Sequence, residues 1–203
     1  MRDSIDRLVE TMASYLTAHS GPGIAEMRAA LAATRGETRR AITPSPSEVC
    51  EQHLSAALAA LTSDGFADLA EAIAAAAPGL AWITYDAYPR NEIGDFAGQH
   101  AFASLIGSDA PFDGKDFDLG LFLISPNIFY RDHHHAAPEL YIPLTGPHGW
   151  RFKLTAPFVN KPAHEPVWNP PWQPHATRVG EIPFLCLFAW LKDVDQPAKV
   201  CTA

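Results

Sequence analysis

The chain is poor in cysteine and in positive charge, and each shortage argues against a class of protein. Its 203 residues include only three cysteines, an odd number without metal-binding spacing, which argues against a disulfide framework and a thiolate zinc site. Lys and Arg total 15 against 23 Asp and Glu, so the net charge is −8. This acidic balance argues against nucleic acid or an anionic membrane as the main partner.

The chain also lacks a long apolar run. No stretch approaches the roughly eighteen consecutive apolar residues that a membrane-spanning helix needs, and the first residues show no signal-peptide pattern. The apolar fraction of 47% and the charged fraction of 19% are typical of a globular protein. We therefore expect one soluble, cytoplasmic domain with a proper core, as a monomer or a homodimer.

Residues 1–79 are predicted to form a helical layer. Between Ile5 and Leu16, apolar residues recur at the spacing of an amphipathic helix, with Asp3 or Ser4 as its cap. Glycine and proline then end this helix. Three further helices are predicted: one over about 24–35, one with an apolar stripe from Val49 to Leu61, and one over about 66–77.

From residue 80 onward the pattern changes to short strands separated by proline and glycine. The predicted strands are 81–85, 117–124, 140–144, 150–154, 175–179 and 184–191. The last is apolar at both alternating sets of positions, which indicates a strand buried on both faces. The expected fold class is therefore α+β, mainly β: a helical segment over 1–79 packed on a small antiparallel β-barrel over 80–203.

The run from His133 to Tyr141, followed by His175, is the strongest functional signal. His133 and His135 are two residues apart and share one face of an extended strand, and Glu139 and Tyr141 have the same parity. Three imidazoles and a carboxylate suit one divalent zinc, iron, manganese or nickel ion. Such a set leaves a position open to substrate, as catalytic metal sites do.

The alternative is a solvated histidine tract, because an isolated HxH pair often arises by chance. His134 has the opposite parity to its two neighbours and is not expected to be a ligand. The fixed spacing to Glu139, and a later histidine after a proline-rich turn, favour the metal site over the tract.

This spacing resembles the first motif of the cupin superfamily, which is HxH, three or four residues, Glu, six residues and Gly; His133, His135, Glu139 and Gly146 match it. The second cupin motif, Pro-x-Gly-x-x-His, is matched by Pro170 and His175, with Trp172 in the place of glycine. Asn127 stands where a further glycine usually precedes the HxH pair. The resemblance implies that the barrel is a single cupin jelly roll.

Within the cupins, the chain is similar to the bacterial dimethylsulfoniopropionate lyases that carry a helical segment before one barrel. Glu139 and Tyr141, two residues apart, are the most specific part of the match. Tyr130 and Trp190 also match, in the same order along the chain. The resemblance implies a lyase that converts a small zwitterionic sulfonium substrate to dimethyl sulfide and acrylate.

The resemblance also implies roles for individual residues. A divalent ion held by His135, Glu139 and His175 would act on the substrate carboxylate, and Tyr141 would remove the α-proton. His133 is either a fourth ligand or is displaced when substrate binds. The alternative role for Tyr141 is that of a half-buried strand tyrosine with a hydrogen bond at the rim.

The sulfonium group is expected to occupy a pocket without a strong anion. Aromatic faces attract such a cation, and Trp168, Trp172, Trp190 and Tyr130 are the candidates. Each of these residues is also consistent with ordinary core packing. Tyr130 is further expected either to hydrogen-bond the substrate carboxylate or to assist proton transfer.

Two other functions use the same fold. A cupin dioxygenase would use iron and O₂ on a small organic substrate with the same ligands, but it would not need Tyr141 as a base. A non-catalytic small-molecule-binding cupin would have no need of an open metal position.

Overall fold

The structure, a computed structural model, describes residues 3–201, which form five α-helices and eleven β-strands. The helices are α1 (Ser4–Tyr15), α2 (Ile24–Ala33), α3 (Glu48–Ser63), α4 (Ala67–Ala76) and α5 (Arg90–Ile93). The strands are β1 (His100–Gly107), β2 (Phe112–Asp113), β3 (Asp118–Ile124), β4 (Phe129–His134), β5 (Glu139–Pro143), β6 (His148–Arg151), β7 (Val159–Lys161), β8 (Val167–Asn169), β9 (His175–Arg178), β10 (Phe184–Trp190) and β11 (Lys199–Val200).

The first four helices form where the apolar periodicity predicts them. The Asp3 side chain caps α1 by accepting a hydrogen bond from the Ile5 amide at 2.9 Å. Their buried faces, including Leu8 and Leu61, join one hydrophobic cluster with Leu187 of β10. The helices therefore cover one face of a sheet, as expected, while the division of the chain at residue 80 stays a prediction.

The strand order identifies a jelly roll. One sheet has the order β2-β1-β3-β10-β5-β8 and the other the order β11-β4-β9-β6-β7. Between β3 and β10 the chain passes from one sheet to the other at every connection except the β6–β7 hairpin, and these eight strands pair only antiparallel. This is the double-sheet arrangement found in cupins. The predicted fold class is confirmed, but the described strands form two sheets that are not closed into a barrel.

Two predicted strands need correction. Residues 81–85 make only isolated bridges, such as Ile83 with Phe102, because the Tyr85 amide donates to the His100 ring instead of a strand carbonyl. The strand predicted over 150–154 ends at Arg151, after which the chain turns and Thr155 takes a left-handed conformation at φ 65°. Among the described residues, no helix is long and apolar enough to cross a membrane.

Candidate metal centre and adjoining cavity

Three buried histidines converge between the two sheets. His133 and His175 pair directly across β4 and β9, and His135 follows in the turn after β4. One nitrogen atom from each ring lies within 4.8 Å of those of the other two. His134 turns away from them, toward the exposed ring of Trp172, with 5.8 Å between ring centroids, as its parity predicts.

Local hydrogen bonds determine which nitrogen of each ring faces the centre. Each of the three rings places Nδ1 at 2.8–2.9 Å from a backbone carbonyl oxygen two residues away. Because a carbonyl only accepts, Nδ1 carries the proton and Nε2 presents a lone pair. Within the described part of the chain, none of the three buried Nε2 atoms has a hydrogen-bond partner. Three convergent, unpartnered lone pairs fit the ligand set of a divalent metal ion.

Glu139, the first residue of β5, adds a buried carboxylate to this cluster. Its Oε2 lies 3.4 Å from Nε2 of His135 and 3.3 Å from Nε2 of His175. Asn169 donates to the same Oε2 at 2.8 Å, and the Trp190 indole donates to Oε1 at 2.7 Å. Outer hydrogen bonds of this kind commonly orient the side chains that bind metals.

The electrostatics of the cluster favour an ionised Glu139 beside a neutral His133. Burial, together with the neighbouring His175 and His135, lowers the pKa of His133 well below its ordinary value. Burial raises the pKa of Glu139, but the facing histidines outweigh it and hold the net pKa well below the ordinary value. Burial lowers the pKa of His135, but the Glu139 carboxylate outweighs it and raises the net pKa. The negative charge of Glu139 therefore attracts positive charge into the cluster, whether a proton on His135 or a metal ion.

Two tyrosines flank the cluster. Tyr141 lies two residues after Glu139 on the inward face of β5 and is buried. Tyr130 stacks on the His133 ring at 3.9 Å, and its hydroxyl lies 2.7 Å from the hydroxyl of Tyr88. The β4–β9 register shifts between Tyr130 and His133, so that residues three apart both face inward. Burial raises the pKa of both Tyr141 and Tyr130 well above the ordinary value.

A cavity of about 220 Å³ lies beside Glu139 and these two tyrosines. Aromatic side chains make up most of its lining, including Tyr85, Tyr88, Phe102, Phe122, Phe188 and Trp190. Asp118 lines it as well. The site therefore combines a candidate metal centre with an aromatic chamber of the size of a small organic molecule.

The structure brings only some of the predicted aromatic residues to this cavity. Trp190 and Tyr130 line it. Trp168 instead packs on the helical side of the sheet, because it alternates with the inward-facing Val167 and Asn169 of β8. Trp172 is 54% exposed in the turn before β9. Of the three predicted tryptophans, only Trp190 lines the cavity, and phenylalanines and tyrosines form the rest of its aromatic lining.

Sequence reasoning missed three polar residues of the site. Asn169 and Tyr88 lie in segments without a recognisable motif, and they reach the site only through the pairing of distant strands. Asp118 lines the cavity, whereas the sequence predicted a sulfonium pocket without a strong anion. Its position could have been inferred from parity, because it alternates with Leu119 and shares a face with Phe122.

The two turns in which the cupin glycines are replaced keep the backbone geometry of glycine. Asn127 and Trp172 both adopt left-handed conformations, at φ 61° and 63°. The Trp172 amide donates to the His135 carbonyl at 2.8 Å, which ties the turn before β9 to the histidine loop. The substitutions therefore leave the position of the ligand loops intact.

The jelly-roll fold and the buried three-histidine cluster define a cupin with a site suited to a divalent metal. The family model for dimethylsulfoniopropionate lyases matches residues 23–186, and the chain belongs to that family. The dimethylsulfoniopropionate lyase DddQ of Ruegeria pomeroyi is 29% identical over 137 residues, which cover 66% of each chain.

Solved structures agree on the fold. The crystal structure of the lyase DddQ from Ruegeria pomeroyi matches with a TM-score of 0.70 at 24% identity, over 96% of this chain and 95% of that one. A structure from a study of the lyases RdDddP and RnDddQII matches with a TM-score of 0.71 at 22% identity, over 98% of both chains. At these identities the likeness shows the shared fold alone.

Proposed function

We propose that this protein is a metal-dependent lyase that cleaves dimethylsulfoniopropionate to dimethyl sulfide and acrylate. The observation that carries the proposal is the set of three unpartnered Nε2 atoms beside Glu139, next to an aromatic cavity. Family membership supports the substrate class, a small zwitterionic sulfonium acid.

One divalent ion would be held by His133, His135, His175 and Glu139. Imidazole and carboxylate ligands suit zinc, iron, manganese and nickel alike. The ligand set therefore favours a divalent cation but does not distinguish among these four metals. When bound, such an ion supplies Lewis acidity, which stabilises negative charge on the substrate carboxylate and lowers the pKa of acidic groups beside it.

Tyr141 is the proposed base. The reaction moves the α-proton to the Tyr141 oxygen, forms the C2–C3 double bond, and releases the C3–S electron pair with sulfur as neutral dimethyl sulfide. Burial and the nearby Glu139 charge raise the pKa of Tyr141 well above its ordinary value in the protein alone. Base catalysis by this residue therefore depends on a bound cation, and we expect activity and metal content to fall together.

Tyr130 is proposed to position the substrate. It stacks against Phe96 at 3.8 Å on one side and His133 at 3.9 Å on the other, so its ring has little freedom. The Tyr130 and Tyr88 hydroxyls share one hydrogen bond at 2.7 Å, which leaves one of their two protons for an acceptor in the cavity. The substrate carboxylate is such an acceptor.

Detection of dimethyl sulfide above purified protein tests the proposal. We expect release from dimethylsulfoniopropionate, loss of release after chelation, and recovery when one of the four metals is restored. Release should continue without O₂, since the elimination needs no oxidant. Full activity in protein shown to be metal-free would contradict the metal requirement, and turnover that stops under anaerobic conditions would favour a dioxygenase.

A further inference from the structure

Asp118 is a charged residue of the cavity that the proposed reaction leaves without a role. It is the first residue of β3 and lies opposite Trp190 of β10, which in turn lies opposite Glu139 of β5. These three residues form one row across adjacent strands. Two strand spacings amount to about 10 Å, so Asp118 stands at the far side of Trp190 from the metal cluster.

The Asp118 side chain faces the cavity and not the helical layer. Along β3, Leu119 and Leu121 pack with the helices, whereas Phe122 belongs to the inner cluster. Side chains alternate along a strand, so Asp118 shares the inward face with Phe122. Both residues line the cavity.

Asp118 has no counterion among the residues that the structure describes. None of the ion pairs found among residues 3–201 includes it, and its Oδ1 atom is buried without a hydrogen-bond partner. Burial raises the pKa of Asp118 to about 6, although hydrogen bonds from Ser104 and the Leu119 amide oppose the rise. A largely buried carboxylate without a counterion is unfavourable even with these hydrogen bonds, and a cation in the chamber would relieve it.

We propose that Asp118 and the adjoining aromatic rings form a subsite that selects the cationic end of the substrate. The ligands of this subsite are small acids that carry a sulfonium or quaternary ammonium group two carbons from the carboxylate. The inference rests on the proposed function for its orientation, with the carboxylate toward the histidines and the onium group over Trp190.

The aromatic rings and the carboxylate act together on such a cation. Phe102 and Phe188 meet edge to face at 6.1 Å beside Trp190, and ring faces attract onium groups. The attraction ends when the C–S bond breaks, because the sulfur leaves without charge, and this favours release of dimethyl sulfide. The contact is stronger in the ground state than in the transition state, so its loss should raise KM without lowering kcat.

Binding of two ligands of the same shape tests the subsite without turnover. These are 3-(trimethylammonio)propanoate, which carries the positive charge, and 4,4-dimethylpentanoate, in which carbon replaces nitrogen. Calorimetric titration of the metal-bound protein at about pH 8, above the Asp118 pKa of about 6, gives the ratio of their Kd values. We expect wild-type protein to bind the ammonium acid about tenfold or more tightly than its neutral isostere.

Asp118→Asn keeps the shape of the side chain and removes its charge, and we expect it to lower this ratio at least about fivefold. Asp118→Ser gives the same readout if the Asn variant does not fold. The control is Asp109→Asn, which makes the same change on an exposed loop and should leave the ratio unaltered. A purely structural role for Asp118 would weaken both ligands equally and keep the ratio.

The possible results separate the subsite from the reaction. A wild-type protein without preference for the cation, or an Asn variant that keeps it, overturns the subsite even if dimethyl sulfide is released. An Asp118-dependent preference in a protein that releases no dimethyl sulfide supports the subsite and overturns the lyase.

Discussion

The two faces of the six-stranded sheet are built from different chemistry. On the outer face, Leu121, Leu140 and Leu187 pack against the helices in an almost entirely aliphatic core. On the inner face, the same strands present Phe122 and Tyr141, with histidines and carboxylates among the rings. The strand β10 contributes to both, since its leucines point outward and its phenylalanines and Trp190 point inward.

The two faces of this sheet therefore have different roles, one in stability and the other in function. Aliphatic packing is non-directional and gains free energy from every methylene that leaves water. A buried polar group is favourable only when each donor and acceptor has a partner, and the inner face leaves several without one. The outer face therefore stabilises the fold, and the inner face carries the unsatisfied groups that a metal and a substrate would complete.

The largest expected effect comes from removing a metal ligand on the inner face. His175→Ala should lose most bound metal and lower dimethyl sulfide release by more than about 100-fold, while the fold persists. Elemental analysis, headspace detection and circular dichroism measure the three properties. His134→Ala is the matched control, because this histidine lies on the opposite face of β4. Equal metal loss in both variants would contradict the assigned site.

The outer face should respond in the opposite way. Leu187→Ala leaves a cavity in the aliphatic core and should lower the free energy of unfolding by about 2–5 kcal/mol, measured in urea. The kcat per folded molecule should stay within about twofold, since the altered side chain points away from the cavity. Ile182→Ala, at an exposed position, should change stability by less than about 0.5 kcal/mol. A large loss of kcat in the Leu187 variant would show that the two faces are coupled.

Tyr141→Phe isolates one oxygen atom on the inner face. The ring and its contacts with Phe122 and Phe184 remain, so fold and metal content should be retained. If this oxygen takes the α-proton, kcat should fall by about 10²-fold or more. Exchange of solvent deuterium into the α-carbon of a non-eliminating analogue should stop as well. Near-normal release of dimethyl sulfide would move the base to Tyr130 or His133.

The regular features of this comparison are predictable from sequence. Helical periodicity predicted the four covering helices, and apolar alternation predicted that β10 is buried on both faces. The parity of His133 and His135 predicted that they face one centre, because over short distances side-chain direction follows residue number. These predictions depend on local geometry alone.

The composition of the cavity depends on the pairing of distant strands and on a bulge, and local geometry predicts neither. The bulge in β4 turns Tyr130 inward beside His133, although the two differ in parity. Strand pairing places Asn169 opposite Glu139 and Asp118 opposite Trp190, each from a segment distant in the chain. Conversely, Trp168 resembled a pocket residue by its type but faces the helices. Residue type indicated an aromatic pocket, and only the register of distant strands determines its members.

The smallest expected effect concerns a polar contact on the helical side. The Tyr15 hydroxyl lies 2.8 Å from Nδ1 of His164, whose Nε2 lies 3.3 Å from the Asp64 carboxylate. Because the carboxylate accepts from Nε2–H, Nδ1 is left as an acceptor and Tyr15 donates to it. The contact links α1 to the loop between β7 and β8.

Tyr15→Phe removes this hydrogen bond and keeps the ring that packs edge to face on Phe66. We expect a loss of about 1 kcal/mol in the free energy of unfolding, the usual net contribution of one hydrogen bond. KM and kcat should not change, whereas Tyr88→Phe, the same substitution in the cavity, should alter them by removing the partner of Tyr130. A Tyr15→Phe enzyme with an altered KM would show that the helical layer positions the cavity as well as stabilising the sheet.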